Sequence, residues 1–292
     1  MNKNSKIIVT GVKGQLGFDC VRELHERGFT NVLGIDKDEL DITNELAVHE
    51  FFKKEKPEVV MHNAAWTAVD KAEEFKDAVY AVNSLGPKYI AEACKEVGAK
   101  MIYISTDYVF NGLGETPFEV DAPKEGLSTY GKTKAQGEDF VMKGTDKYFI
   151  IRTSWVFGIN GNNYIKTMLK LAESKTELNI VCDQIGSPTY TYDLSKLLCD
   201  MIETEKYGVY HATNEGFTSW CDFTKYIYQV AGITTVNVKP ITTKEYQKLV
   251  PSQANRPLNS RLSKKSLDEA GFKRLPTWQD ATERFIKELR KQ

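Results

Sequence analysis

An α/β architecture, a doubly wound parallel sheet with a smaller C-terminal lobe, is what this sequence predicts, on three observations. Short β-branched runs alternate with longer helical patterns through the first half of the chain. A glycine-rich turn joins the first run to the first helical pattern. After about Trp155 the alternation loosens, yet no Gly/Ser-rich linker intervenes. Near-continuous apolar strands alternating with helices require a parallel sheet covered on both faces and linked by right-handed crossovers.

Lys6-Ile7-Ile8-Val9-Thr10 reads as the first strand, and Gln15 to Arg27 as the helix after it. Asn31 to Ile35 is the second strand. Asn44 to Glu55 follows as a helix, with Thr43 as its cap and Pro57 just beyond its end. Glu58 to His62 is the third strand. From Ser84 to Val97, Leu85, Tyr89, Ile90, Ala93, Cys94 and Val97 share one helical face. Met101 to Ser105 is the fourth strand, and Tyr148 to Arg152 a later one. Beyond Trp155, the stretches Asn163 to Glu173, Tyr192 to Glu203 and Trp220 to Val230 read as helices. Short strands are expected near Asn179–Val181 and Val209–Ala212. Trp278, Ala281, Phe285 and Leu289 recur at helical spacing, so the tail docks on the body.

Length and composition bound the function. A chain of 292 residues suits one large domain or two closely joined ones. Its 39 Lys+Arg against 40 Asp+Glu leave a net charge of −1, which argues against a broad electrostatic grip on nucleic acid. A 41% hydrophobic content excludes global disorder. No apolar run approaches the roughly 18 residues of a membrane span. The start of the chain runs directly into a strand rather than a secretory apolar segment, so a cytoplasmic protein is expected. Five scattered cysteines without a Cys-x-x-Cys pair fit reduced thiols, not a disulfide framework or a structural metal site.

Gly11-Val12-Lys13-Gly14-Gln15-Leu16-Gly17 follows the first strand and opens the first helix. Gly11 permits the tight turn, Gly14 lets backbone amides approach a pyrophosphate, and Gly17 brings helix and sheet close. The helix amino terminus adds free N–H donors and the positive dipole end. This is the phosphate turn of a Rossmann-type dinucleotide fold, or else a glycine turn without a ligand. Asp36 ends the second strand, where a carboxylate accepts from an adenosine ribose and favours NADH. Lys37 follows it and attracts a 2′-phosphate instead, so use of either NADPH or NADH is expected. The dinucleotide-binding part is assigned to residues 1–154, with later segments free to return to its sheet. Residues 155–292 form mainly a substrate-binding lobe and the C-terminal helix.

Tyr130-Gly131-Lys132-Thr133-Lys134 places Tyr130 and Lys134 one helical turn apart on one face. An ammonium beside a phenol lowers a pKa that is ordinarily about 10, readying the phenol to exchange a proton with a carbonyl or alcohol oxygen. Lys132 lies off that face and is expected in solvent. Ser105-Thr106-Asp107 stands at the carboxyl end of the fourth strand, the edge where open α/β sheets bind ligands. A Thr106 hydroxyl there shares the substrate oxygen with Tyr130; alternatively Ser105 and Thr106 only cap a turn.

With these residues the chain resembles the extended short-chain dehydrogenase/reductase superfamily and, more narrowly, the dTDP-4-dehydrorhamnose reductases. The resemblance runs over nearly the whole chain. It includes the glycine turn, Leu40-Asp41-Ile42-Thr43, His62-Asn63-Ala64-Ala65-Trp66-Thr67-Ala68-Val69-Asp70-Lys71-Ala72-Glu73 and the Thr106 and Tyr130 segments. Arg152-Thr153-Ser154-Trp155-Val156-Phe157-Gly158, Asp183-Gln184-Ile185-Gly186-Ser187-Pro188-Thr189 and Arg256-Pro257 extend it into the second half. It implies Gly14, Gln15 and Leu16 along a pyrophosphate, Asp36 at the adenosine ribose, and Asp41 with Ile42 at the adenine. Ala65, Trp66 and Thr67 would line the cofactor, although a different residue more often stands where Trp66 does. Thr106, Tyr130 and Lys134 would be catalytic, and Asp107 and Trp155 would touch a deoxysugar nucleotide. Some members bind a dimer-bridging magnesium through glutamates. Here Asp19 and Asp193 stand at the plausible positions, which leaves that metal in doubt, along with the choice between monomer and homodimer.

The reaction implied is hydride transfer to C4 of a nucleotide-linked 4-keto-6-deoxyhexose, with Tyr130 protonating the oxygen while Lys134 and Thr106 hold the geometry. The Asp183–Thr189 loop would grip the sugar nucleotide. Arg256 would pair with its diphosphate, because guanidinium matches phosphate bidentately, unless it only forms a surface ion pair. Trp155 is equally a candidate core aromatic. Two rivals are an epimerase or dehydratase that retains its cofactor, and a non-catalytic regulatory subunit; an intact Thr106, Tyr130 and Lys134 set weighs against the latter.

Overall fold

Strands β1 (Ile7–Thr10), β2 (Val32–Ile35), β3 (Val59–His62), β4 (Lys100–Thr106), β5 (Tyr148–Thr153) and β6 (Gly208–His211) form a single parallel sheet in the computed structural model, which describes residues 1–291. The strand order is β2-β1-β3-β4-β5-β6. β1 and β3 are buried at every position, as strands covered on both faces must be. The period of two divides the core. Ile7, Val9, Met61 and Ile151 face α1 (Gln15–Glu26), while Ile8, Val60 and Ile150 face α2 (Glu45–Glu55) and α3 (Gly86–Val97). α4 (Thr129–Gly144) covers this second face beside α3. This is the doubly wound Rossmann-type architecture the sequence predicts.

The lobe holds α5 (Tyr164–Ala172), α7 (Trp220–Ala231) and α8 (Trp278–Leu289), gathered around Phe157, Phe223, Ile227 and Phe285. A parallel pair, Glu177–Val181 with Asn237–Ile241, flanks them. Between these lobe segments the chain returns to the sheet. α6 (Thr191–Ile202) packs on α1, and β6 pairs with β5. The two parts are therefore interleaved along the sequence after residue 154. The docked tail is α8, with Trp278, Ala281 and Phe285 buried.

Two local details differ from the sequence reading. Asn44, not Thr43, caps α2, its side chain accepting from Ala47 N at 3.2 Å. Thr43 instead donates to Asp41 at 2.7 Å, a local turn that competes with capping. Residues Ala81–Leu85 form a π-helical turn before α3. The wider turn delivers Asn83 to the backbone of Trp66, donating to its O at 3.1 Å and accepting from its N at 2.8 Å. Among the described residues no helix is long and apolar enough to cross a membrane.

Candidate active site

The strand order reverses between β1 and β3, and at that point the carboxyl ends of the strands open a crevice. Thr10, the last residue of β1, holds its floor. Its hydroxyl accepts from the backbone N–H of Asn63 and of Ala64, both at 3.1 Å. Having accepted two donors, that hydroxyl donates to His62 Nδ1 at 2.8 Å, which leaves the imidazole proton on Nε2. Burial pushes the His62 pKa down to about 3, so the ring is neutral. Gly11 sits at φ +69°, and a Cβ there would lie 2.9 Å from Ala64 N; the turn needs glycine on both counts. No side chain caps α1 at Gly14, so its first-turn amides are free at the crevice.

The candidate catalytic residues come from β4 and α4. Ser128 caps α4, accepting from Gly131 N at 3.2 Å. Tyr130 packs edge-on against Tyr108, ring centroids 5.5 Å apart. Lys134 is buried, with its Nζ donating to Ile104 O at 2.6 Å and lying 4.0 Å from the centre of the Tyr103 ring. Lys132 is exposed. Thr106 donates to Asp107 Oδ1 at 3.0 Å and accepts from Tyr108 N at 3.2 Å.

Burial governs the ionisation here, and it corrects one expectation. The Tyr130 pKa is raised, not lowered, because desolvation of the phenolate outweighs the lowering pull of the Thr106 hydroxyl. Desolvation brings Lys134 down to about 7 against the opposing charge of Glu138. The Asp107 carboxyl is pushed up to about 6 by its burial, with Ser260 and Thr106 pulling the other way.

These residues line a cleft of about 670 Å³. Among the described residues eight buried side-chain polar atoms lack a hydrogen-bond partner. Four of them, Asn63 Oδ1, Asp107 Oδ2, Thr153 Oγ1 and Arg256 Nε, belong to residues of this one cleft. Unpaired buried polar groups are costly, and half of those found gather in the walls of this one cavity. An uncapped helix terminus at one end and hydroxyl, phenol and amine at the other fit a dinucleotide and a carbonyl substrate.

Of the residues singled out in the sequence, Gly11, Gly14, Gln15, Leu16 and Gly17 line the cleft on the α1 side. Ala65 and Thr67 line it at β3, and Thr106, Asp107, Tyr130, Lys134, Trp155 and Arg256 line it elsewhere. The Gln15 side-chain oxygen accepts from Gly158 N at 2.7 Å and from Asn163 Nδ2 at 3.1 Å, tying α1 to the lobe. Trp66 is not among the lining residues. Alternation along the extended segment turns it away, its indole against Phe75 and its Nε1 donating to Ala68 O at 3.2 Å. Asp36, Asp41 and Ile42 also lie outside the lining. Asp36 accepts from Lys13 N of the glycine turn at 3.2 Å and from Lys37 N at 2.9 Å. Asp41 is committed to Thr43, and Ile42 is buried against Gly86.

Arg256 forms an ion pair within the chain and also reaches the cleft. It lines the cleft, donates to Tyr108 Oη at 3.2 Å, and pairs with Asp70 at 2.9 Å. No residue of Asp183–Thr189 is among those lining the cleft, and side chains of this segment are engaged within the chain. Asp183 accepts from Thr243 N at 2.8 Å at the start of the Thr243–Leu249 helix, and Ser187 Oγ donates to Gly216 O at 2.8 Å. Asn63, Tyr108, Thr153, Tyr164 and Trp220 are lining residues the sequence reading did not select. Thr153 stands at the carboxyl end of β5, where the strand-end rule that found Thr106 would also have found it. Nothing in its local pattern marks Trp220.

Comparison with known proteins bears directly on this cleft. A family model described as the RmlD substrate binding domain matches residues 5–291. Over 284 residues the chain is 39% identical to the spore coat polysaccharide biosynthesis protein SpsK of Bacillus subtilis, covering 97% of this chain and 98% of that one. Over 288 residues it is 38% identical to the dTDP-4-dehydrorhamnose reductase of Aggregatibacter actinomycetemcomitans, covering 95% and 97%. The crystal structure of a Bacillus anthracis dTDP-4-dehydrorhamnose reductase in complex with NADP matches with a TM-score of 0.93 at 40% identity, covering 98% of this chain and 99% of that one. The chain belongs to the dTDP-4-dehydrorhamnose reductase family. It is accordingly an NAD(P)H-dependent oxidoreductase of the short-chain dehydrogenase/reductase superfamily.

Where the family resemblance raised a magnesium site, Asp19 and Asp193 are engaged within the chain. Asp193 accepts from Arg284 at 2.8 and 2.6 Å and from Asn214 Nδ2 at 2.9 Å. Asp19 is buried, accepts from the Thr191 hydroxyl, and has Arg22 3.9 Å away. Its burial raises the carboxyl pKa to about 6. The native state then binds more protons than the unfolded chain between about pH 4 and 6, so this group's contribution falls as pH rises through that window. Asp19→Asn keeps an acceptor for Thr191 and removes the charge. Its stability relative to wild type is expected to grow from nothing at pH 4 to about 2 kcal/mol at pH 7. Thermal melts across pH 4–8 check this; a difference that does not change with pH rejects it.

Proposed function

We propose that this chain reduces the C4 keto group of dTDP-4-dehydro-L-rhamnose to give dTDP-L-rhamnose, with NADPH or NADH as reductant. The observation that carries the reading is the single cleft holding the free α1 terminus, the unpaired polar atoms and the Thr106, Tyr130 and Lys134 set. Reduced nicotinamide supplies a hydride, which becomes the new C4 hydrogen. Tyr130 gives its phenolic proton to the C4 oxygen, so hydride and proton together convert the ketone to an alcohol. Its raised pKa suits this direction, because a donor must be protonated at neutral pH.

Thr106 directs a hydroxyl at the same oxygen, and Lys134 anchors the nicotinamide ribose beside it. The glycine turn and first α1 amides receive the pyrophosphate. Asp107 and Trp155 contact the deoxysugar, while Arg256 pairs with the diphosphate. Asp36 carries a carboxylate toward the adenosine ribose and Lys37 an ammonium, consistent with use of both cofactors. Residues 1–154 thus serve the dinucleotide and the lobe within 155–292 serves the nucleotide sugar.

The test is absorbance at 340 nm with each cofactor and the dTDP-ketosugar formed in situ. Stoichiometric oxidation of NADPH with appearance of dTDP-L-rhamnose is expected. A purified chain that keeps bound cofactor, converts nucleotide sugars and consumes no NADPH would establish the epimerase or dehydratase reading instead.

A further inference from the structure

Trp155 stands at φ +50°, a conformation that bulky L-residues rarely adopt. It lines the cleft. Strained backbone persists only where the surroundings over-determine it, and it gathers at sites that need a side chain held still. Here the surroundings are specific. Trp155 O accepts from Thr189 N at 3.1 Å, and the neighbouring Ser154 Oγ donates to Ser187 O at 2.8 Å. The Trp155 indole stacks on that of Trp220, with centroids 3.7 Å apart and planes 14° from parallel. On Gly186 the indole lies against bare backbone: a Cβ there would fall 2.8 Å from Trp155 Cε2 and 2.9 Å from Cζ2.

Gly186 has no room to retreat. Ile185–Gly186 pairs antiparallel with Thr218–Ser219, and Ile185 exchanges backbone hydrogen bonds of 2.8 Å with Leu258 O and Ser260 N. The same short strand leads directly into Trp220, so one pairing sets both surfaces that confine the indole. A methyl at residue 186 therefore meets the Trp155 ring first, with Ser260 Cβ next at 3.0 Å, and displaces the ring rather than the strand backbone.

We infer that Gly186 and Trp220 are positioning residues that lock the Trp155 indole in the cleft and thereby set affinity for the nucleotide sugar. This rests on the reading that Trp155 meets the sugar nucleotide. It assigns a purpose to the buried Asp183–Thr189 segment: that segment acts on substrate through Trp155, without touching the cleft.

The test is Gly186→Ala, read by near-ultraviolet circular dichroism and by kinetics. Two indoles stacked this closely couple their transitions, so wild type is expected to show an exciton couplet that Gly186→Ala abolishes. The KM for the nucleotide sugar is expected to rise about tenfold or more, with a smaller change in kcat and the Kd for NADPH within about twofold of wild type. Trp220→Leu adds no bulk but deletes one indole, so it is read by kinetics alone: KM is expected to rise as in Gly186→Ala, and, because Trp220 acts through Trp155, adding Trp155→Phe is expected to leave binding no worse than in Trp155→Phe alone, which covers the case in which Gly186→Ala does not fold. In the Gly186→Ala background, Trp155→Phe removes the colliding ring, so the double variant is expected to bind sugar nucleotide no worse than Trp155→Phe alone. A retained couplet, or a wild-type KM in the folded variants, overturns the inference. The couplet needs no substrate. A wild-type chain that reduces no ketosugar overturns the substrate reading, and the couplet alone then judges the stack.

Discussion

Tyr130→Phe is expected to lower kcat by about 10²- to 10⁴-fold while the Kd for NADPH stays within about twofold of wild type. The substitution deletes one oxygen. The ring keeps its edge-on contact with Tyr108, and Thr106 keeps its hydrogen bonds to Asp107 and to Tyr108 N, so the cleft does not collapse. What disappears, in the reaction proposed above, is the proton given to the developing alkoxide. The raised pKa of Tyr130 means that this proton is present throughout neutral pH, and phenol ionisation does not limit the wild-type rate there. Lys134 behaves oppositely: before ligands bind, its ammonium is lost as pH rises through about 7, because burial favours the neutral amine. Single-turnover reduction followed at 340 nm separates the chemical step from cofactor binding. A kcat within about fivefold of wild type would remove Tyr130 from the role of proton donor.

Glu138→Ala is expected to cost about 3–5 kcal/mol of stability, the largest effect predicted for a group that touches no ligand. Glu138 is fully buried on α4, one turn beyond Lys134. It accepts from Arg152 Nε and Nη2, each at 2.8 Å, and from Ser105 Oγ at 2.5 Å, with Lys124 Nζ 3.4 Å away. Alanine would leave the Arg152 guanidinium buried and without its carboxylate. Arg152 retains only Val120 O at 2.8 Å and the His211 ring at 3.3 Å. The pair also ties α4 to Ser105 beside Thr106 and to Arg152 beside Thr153, so the loss spreads into the cleft walls. Urea unfolding measures it as a lower midpoint at unchanged slope. Replacing both partners, as in Glu138→Leu with Arg152→Met, removes the stranded charge and is expected to recover much of the loss. A Glu138→Ala cost below about 1 kcal/mol would reject the ion pair as a structural brace.

The sheet and its phosphate turn were legible because their signals are local. β1, the glycines after it and the first helix occupy one continuous stretch, and each glycine answers a steric demand set within a few residues or at the adjoining strand. Tyr130 and Lys134 were legible for the same reason, since helical spacing alone puts them on one face. Thr106 and Asp107 followed from a rule about strand ends. The direction of the Trp66 side chain, packed on Phe75, was not legible. Which way an extended segment turns its side chains depends on partners elsewhere, such as Asn83 in its π-helical turn.

The sequence by itself determined the doubly wound core, the place of the glycine turn and the helical spacing that sets Tyr130 and Lys134 on one face. Tertiary structure alone decided how those groups ionise, for the depth of burial around Tyr130, Lys134 and Asp107 is a property of everything packed over them. It alone also decided that Trp155 meets Trp220, and that Glu138 meets Arg152 and Ser105. Spacing along a chain reports neighbours within a turn or two, whereas desolvation and long-range pairing arise only when distant segments close on one another and exclude water.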